Sequence, residues 1–90
     1  MPWSIRFTRR IEKSISSLPD GARAALMLLF AEIRQSGPVR GDWPNYGKLG
    51  SGLHHCYLKK GRPTYVVVWV ERSKEEIEVR YVGTHENAPY

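Results

Sequence analysis

The sequence predicts an α+β fold in which two N-terminal helices pack on one face of a mostly antiparallel, four-stranded sheet. Three observations lead to this prediction. An alternating apolar segment lies near the N-terminus, two segments with helical apolar stripes follow it, and strand-like segments fill the C-terminal half. The resulting order is strand, helix, helix, strand, strand, strand, which segregates the helices from the sheet.

The N-terminal segment combines a short strand with the start of the first helix. Residues 3–8 alternate, so that every second side chain from Trp3 to Phe7 is apolar and shares one face. Thr8 is a suitable N-cap for a helix that begins at Arg9. Because this helix is short, it requires packing against the rest of the chain.

The second helix is predicted from about Pro19 to Gln35. Its apolar residues recur at the i, i+3, i+4 spacing of a core stripe, and Gly37 followed by proline ends it. The middle of the helix is apolar on more than one side, since Met27 and Leu28 lie beside the main stripe. This apolar surface either packs within the protein or lines a groove for a protein partner.

A glycine-rich segment over residues 37–52 separates the helices from the later strands, and we expect it to be irregular. Trp43, Tyr46 and Leu49 supply apolar side chains that can hold it against the body of the protein, so we expect it to be ordered. A strand is then predicted over residues 53–58.

The C-terminal half predicts a hairpin. Tyr65–Val70 is an unbroken apolar run, which is typical of a strand buried on both faces. The next segment, Glu76–Val82, alternates. This alternation assigns Tyr81 to the apolar face and both Arg80 and Val82 to the charged face.

Composition narrows the range of functions. The chain has 90 residues, a formal net charge of +5 and a pI of about 9.7, which favours a polyanionic partner such as nucleic acid or an acidic protein. A single cysteine, Cys56, allows no intrachain disulfide and fits a reducing cytosol. No apolar run approaches the ~20 residues that span a bilayer. We therefore expect one cytoplasmic domain over residues 1–90, without membrane association.

The histidines are the first candidates for chemistry, and all three lie in the C-terminal half, at His54, His55 and His85. Their spacing to Cys56 matches no familiar zinc motif, so we predict neither a metal nor another cofactor. Nothing in the sequence around Cys56 marks it as an activated nucleophile.

A third kind of chemistry needs only proton transfer and positive charge. RNA is cut without a metal when its own 2′-hydroxyl attacks the adjacent phosphate, a reaction that requires a base, an acid and cations. The C-terminal half supplies a suitable set: His54, His55, Tyr57, Lys59, Lys60, Arg62, Arg80, His85 and Tyr90. Since His54 and His55 are adjacent on a strand, they point to opposite faces, and at most one of them shares a site with a given face.

Residues 54–65, Trp69 and residues 81–90 resemble the RelE-type toxins of bacterial toxin–antitoxin systems. The order of elements is similar over nearly the whole chain. The resemblance implies a RelE-like fold that cleaves messenger RNA without metal, typically in the ribosomal decoding site. It also implies a co-expressed antitoxin that wraps the toxin and neutralises it.

The closing Gly-x-His segment, followed by an aromatic residue, resembles the YafQ-like branch of these toxins. That resemblance implies catalytic roles for His85 and Tyr90, with either His55 or His54 assisting in proton transfer. Contacts to RNA and its phosphates are assigned to Tyr57, Lys59, Lys60, Arg62 and Arg80.

Two other functions are compatible with the same fold. One is a ParE-like toxin that inhibits DNA gyrase and cuts no RNA, and the other is a non-catalytic module that binds RNA or protein. The three histidines and the C-terminal aromatic favour the nuclease. For the antitoxin, we expect an acidic amphipathic segment that docks on the helix face carrying Met27 and Leu28.

Overall fold

The computed structural model describes residues 2–90 and confirms the α+β class. The elements are β1 (Ser4–Arg6), α1 (Arg9–Ser16), α2 (Asp20–Ser36), β2 (Gly47–Gly50), β3 (Leu53–Lys59), β4 (Tyr65–Ser73), β5 (Glu76–Thr84) and a 3₁₀ turn (His85–Asn87). α1 begins at the predicted Arg9, and α2 lies within one residue of its predicted bounds.

The sheet has five strands in the order β1-β5-β4-β3-β2, one more than the four predicted. β1 pairs in parallel with β5, and the remaining pairs are antiparallel. The additional strand is β2, which lies in the segment predicted to be irregular. Its short, glycine-rich sequence carries no alternation signal, and it becomes a strand because β3 supplies its hydrogen-bonding partners, with Gly47 opposite His55.

α1 begins as predicted. The Thr8 side chain accepts a hydrogen bond from the backbone N–H of Ile11 at 3.3 Å. The cap satisfies one of the free N–H groups in the first turn. Ile11 and Ile15 are the buried residues of this helix, and α1 packs against β5.

α2 supplies most of the helical part of the core and ends at Gly37, which has a φ of 95° and donates its N–H to the Ile33 carbonyl at 2.8 Å. The buried residues of α2 are Ala22, Leu26, Leu29, Phe30 and Ile33. Met27 and Leu28 are 47% and 57% exposed, respectively, so they lie on the outer surface and do not pack within the protein.

A β-bulge in β5 corrects the predicted alternation. Val68 of β4 pairs with Tyr81, but the next residue, Trp69, pairs with Val79, so Arg80 has no partner. An extra residue in one strand shifts all later side chains to the opposite face. Tyr81 therefore shares a face with Val68, away from the helices, whereas Val82 is buried in the core.

Candidate active site

Four rings cluster on the sheet face opposite the helices, and we call them the open-face cluster: His55, Tyr57, His85 and Tyr90. The ring centroids of His55 and Tyr90 are 4.7 Å apart. His85 lies edge-on to Tyr57 at 5.6 Å and to Tyr90 at 6.0 Å. These four residues are separated in the sequence, and the sheet brings them into one contact group.

Two elements position the cluster. Alternation along β3 places His55 and Tyr57 on the open face, while Cys56 between them is buried in the core. After β5, the 3₁₀ turn folds the chain back, and the His85 N–H donates to the Thr64 carbonyl at 2.8 Å. The chain then returns across the sheet and carries the Tyr90 ring to His55.

Two arginines flank the cluster on opposite sides. Arg62 lines an open groove together with His85, Thr64 and Thr84. Arg80 lines a second groove together with Tyr90. Within residues 2–90, neither arginine forms an ion pair with a carboxylate, so both charges are available to an anionic ligand.

The surroundings of His55 favour its neutral form. Burial, together with the charge of His85, lowers its pKa. Its Nδ1 is buried and has no hydrogen-bond partner within residues 2–90. On the other side of the ring, Gly47 approaches so closely that an added Cβ would lie 2.9 Å from Nε2. A neutral imidazole held in this way can accept a proton at neutral pH.

The pKa of Tyr90 is shifted in the opposite direction, which also favours the neutral form. Burial raises the pKa of its phenol, with a further contribution from Tyr57. The phenol therefore remains protonated at neutral pH and can donate a hydrogen bond. Because 44% of Tyr90 is exposed, the ring also offers a surface on which a base can stack.

His54 does not join the cluster. It is completely buried on the core face, where its ring stacks on Trp69 with centroids 5.5 Å apart. Its Nδ1 lies 2.6 Å from the Tyr46 hydroxyl, and its Nε2 lies 2.8 Å from a Glu71 carboxylate oxygen. Because both of its ring nitrogens have hydrogen-bond partners in the core, His54 is part of the packed interior. Of the two histidines in β3, His55 is the one that faces the candidate site.

The lysines predicted to contact phosphate line neither of the two grooves beside the cluster. A second bulge, between Tyr57 and Lys59 of β3, turns Lys59 towards the helices. Its ammonium nitrogen would lie 3.2 Å from a Cβ added to Gly21 of α2. Lys60 is exposed in the turn that follows β3. The cations that accompany the cluster are therefore Arg62 and Arg80.

No family model matches the sequence, and no curated protein is significantly similar to it. Among solved structures, the chain is similar to Escherichia coli toxin RelE, determined in the free state as a mutant with two arginine-to-alanine substitutions. The TM-score is 0.71 at 19% sequence identity, and the match covers 98% of this chain and 88% of that one. The chain has the RelE fold.

The RelE fold accounts for the arrangement of helices and sheet predicted from the sequence.

Within residues 2–90, no group of three or more His, Cys, Asp or Glu side chains is arranged to hold a metal ion. Burial raises the pKa of the Cys56 thiol to about 12, so this residue stays protonated in the core. No helix in this part of the chain is long and apolar enough to cross a membrane.

Two residues in the edge strand of the sheet border the candidate site, a role that was not predicted for them from the sequence. Gly47 abuts the His55 ring, and Leu49 lines the groove shared by Arg80 and Tyr90. Both belong to β2, whose pairing with β3 depends on the folded sheet. In the sequence, Gly47 is only a glycine in a segment that carries anchoring aromatic residues. Such a glycine indicates that another group approaches the backbone closely, but the sequence does not show which group that is.

Proposed function

We propose that the protein is the toxin of a type II toxin–antitoxin system and that it cuts messenger RNA without a metal ion, on the ribosome, thereby inhibiting translation. The likeness to toxin RelE supports the fold of such a toxin. The observation that carries the proposal is the contact group of His85, Tyr90 and His55, with ring separations of 6.0 and 4.7 Å. Arg62 and Arg80 border this group.

In the first step, the RNA 2′-hydroxyl attacks the adjacent phosphate. His55 takes the hydroxyl proton as the bond between the 2′ oxygen and phosphorus forms. The lowered pKa of His55 supports this role, because the ring is neutral at neutral pH and its Nδ1 makes no hydrogen bond within residues 2–90.

In the second step, the bond between phosphorus and the 5′ oxygen breaks. His85, in its protonated form, gives a proton to the departing oxygen, which becomes a 5′-hydroxyl end, while the other product carries a 2′,3′-cyclic phosphate. Arg62 and Arg80 neutralise the charge that accumulates on the phosphate oxygens. One proton is taken and one is given, so the reaction requires no oxidant and no water.

The tyrosines hold the RNA in the geometry that this reaction requires. Tyr90 stacks against a base beside the cleaved bond, and such stacking contributes about 1–3 kcal/mol per base in single-strand recognition. Tyr57 contacts His85 edge-on and supports the orientation of its ring. Orientation contributes to the rate because the attacking oxygen must lie in line with the leaving oxygen.

The antitoxin is proposed to dock on the outer face of α2. Met27 and Leu28 are exposed there, and the outward residues beside them are alanines, Ala24 and Ala31. An amphipathic acidic segment fits both this apolar strip and the net charge of +5. Because the substrate is messenger RNA, we assign the protein to the cytoplasm.

The proposal is tested by inducing the wild type and His85→Ala in a bacterial host and mapping message ends by primer extension. New ends inside translated regions with the wild type alone are the expected result. Growth arrest with intact messages would reject the nuclease and favour inhibition of DNA gyrase. Cutting by both proteins would leave the activity standing but remove His85 from its chemistry.

A matched control separates loss of chemistry from loss of fold. Lys74 lies exposed in the β4–β5 turn, at the end of the sheet away from His85, and Lys74→Ala should cut messages as the wild type does. His85 is also exposed, so thermal unfolding of His85→Ala should remain close to that of the wild type.

A further inference from the structure

We infer that a second surface, next to the candidate active site, binds the sugar–phosphate backbone of single-stranded RNA. This surface is the groove between α1 and the C-terminal end of β5, which we call the α1 groove. Its polar lining consists of Arg10, Lys13, Ser14, Ser17, Thr84 and Asn87. The choice of RNA as the ligand rests on the proposed function, whereas the site itself follows from the geometry and charge of the groove.

The α1 groove is continuous with the candidate active site. Thr84 and Asn87 line it and also line the groove that contains Arg62 and His85. The two depressions therefore share one wall. A strand whose cleaved phosphate lies at His85 can pass over this wall and continue along α1.

The chemistry of the α1 groove suits phosphate. Within residues 2–90, Arg10 and Lys13 form no ion pair, in contrast to Arg23, which contacts Asp20 at 2.6 Å. No carboxylate lines the groove, and the remaining polar groups are hydroxyls and an amide. Guanidinium, ammonium, hydroxyl and amide groups are the usual protein partners of backbone phosphates.

The charge distribution along the sheet directs a polyanion to this end. The hairpin between β4 and β5 carries four carboxylates, but Arg72 and Lys74 lie among them, and Arg6 and Arg72 form ion pairs with Glu76 and Glu78. Lys59, Lys60 and Arg62 lie at the other end of β4. The first end is therefore close to neutral, whereas the second carries a cluster of cations that attracts a nucleic acid strand towards the α1 groove.

RNA fits this groove better than an acidic protein segment does. Leu18 and Val82, the aliphatic residues of its lining, are only 5% and 4% exposed, and the remaining apolar surface of the groove comes from the rings of Tyr65 and Tyr81. A peptide segment that folds on binding needs exposed apolar anchors. A nucleic acid backbone needs cations and hydrogen-bond donors, and the α1 groove offers these.

The test measures binding and is separate from cleavage. The probe is a fluorescent oligoribonucleotide of about 12 nucleotides, within the length that small single-strand-binding domains cover, with 2′-O-methyl groups that prevent cleavage. The double variant Arg10→Gln/Lys13→Gln should bind it about tenfold more weakly at moderate salt. The slope of log affinity against log salt should fall by about 1.4, or ~0.7 per lost phosphate contact.

The control removes the same amount of charge elsewhere. Arg9 precedes Arg10 on α1 but does not line the α1 groove, and Lys74 lies in the β4–β5 turn at the far end of the sheet. Arg9→Gln/Lys74→Gln should change affinity less than about twofold, since only non-specific attraction is lost. A 2′-O-methyl dinucleotide, too short to leave the active site, should bind the wild type and the groove variant equally.

The outcomes separate the two proposals. Equal losses in both double variants, or no loss in either, would overturn the inference. An unchanged affinity for RNA combined with weaker binding of polyglutamate would also overturn it, in favour of an acidic protein ligand. If the wild type fails to cut messages but the predicted difference in binding appears, the nuclease proposal fails and the α1 groove stands.

Discussion

The Tyr46 hydroxyl lies 2.6 Å from Nδ1 of His54, and this contact joins the segment before β2 to the centre of the sheet. In a neutral imidazole that donates from Nε2 to the Glu71 carboxylate, Nδ1 is the acceptor for the Tyr46 hydroxyl. The residue after Tyr46 is Gly47, which packs on the ring of His55. A buried histidine on one face of β3 thus fixes the surroundings of the half-buried histidine on the other face.

Removal of the Tyr46 hydroxyl should lower stability. Tyr46→Phe leaves a buried ring nitrogen of His54 without its partner, and such a loss costs about 1–3 kcal/mol. Urea unfolding of the purified protein measures this difference. The matched control is Tyr65→Phe, since the Tyr65 hydroxyl makes no protein hydrogen bond within residues 2–90 and its removal should change stability by less than ~0.5 kcal/mol. Equal stabilities for the two variants would contradict this role for Tyr46.

Two glycines of β2 allow a matched pair of substitutions that tests whether cleavage depends on the position of the His55 ring. A Cβ at Gly47 would lie 2.9 Å from His55 Nε2, whereas a Cβ at Gly50 would meet nothing within 4 Å. Gly47→Ala therefore forces the His55 ring to move and should lower message cleavage by about tenfold or more, because small displacements of a catalytic group are costly. Gly50→Ala should cleave at the wild-type rate. Primer extension at matched expression compares them, and equal cleavage would remove His55 from the reaction.

The pH dependence of His55 follows from the causes of its shift. Burial and the His85 charge lower its pKa, so its ring resonances should titrate below the ordinary value of about 6.5 in an NMR experiment. His85→Gln should raise the pKa of His55 only part of the way, because burial remains. As the pH falls below about 6.5, the unfolded chain binds a proton that folded His55 does not, so this residue lowers stability in that window.

The same shift governs catalysis. If neutral His55 is the base, the acidic limb of the cleavage rate should rise with pH through its lowered pKa, with a midpoint below about pH 6.5. A single-turnover rate measured against pH tests this prediction. A midpoint well above that value would indicate that another group takes the proton.

Substitutions on the outer face of α2 should weaken antitoxin binding without affecting the fold. Met27→Asp/Leu28→Asp places negative charge in the proposed groove and should weaken binding of an acidic antitoxin at least tenfold, through lost apolar burial and repulsion. Because both side chains are exposed, thermal unfolding should change little. Gln35→Asp, near the end of the same helix, is the control for added charge. Full-strength binding by the double variant would exclude this face as the docking site.

Much of the candidate site could be predicted because it depends on local pattern. Alternation in β3 separated His54 from His55, and the closing segment identified His85 and Tyr90. Only the folded protein shows which histidine lies on which face of the sheet, since the sequence does not reveal which face the helices cover. Lys59 was assigned to phosphate, but the bulge after Tyr57 turns it towards α2.

The bulge at Arg80 and the strand β2 could not be predicted for a related reason. A bulge is a mismatch between two strands, so it belongs to the pair β4–β5 and leaves no mark in either strand alone. β2 is likewise defined by its partner, since Gly47 opposite His55 is a property of the pairing. Single-sequence patterns report the periodicity of one segment, whereas these features arise from register between two segments.

The adjacency of His54 and His55 has a consequence for folding fidelity. If β3 slipped by one residue, two chemically identical side chains would exchange faces, and hydrophobic patterning would discriminate weakly at this point of the strand. The aligned register alone gives the inward imidazole its partners, Tyr46 on one nitrogen and Glu71 on the other. These two hydrogen bonds therefore stabilise the aligned register of β3, in which His54 lies in the interior and His55 lies on the open face.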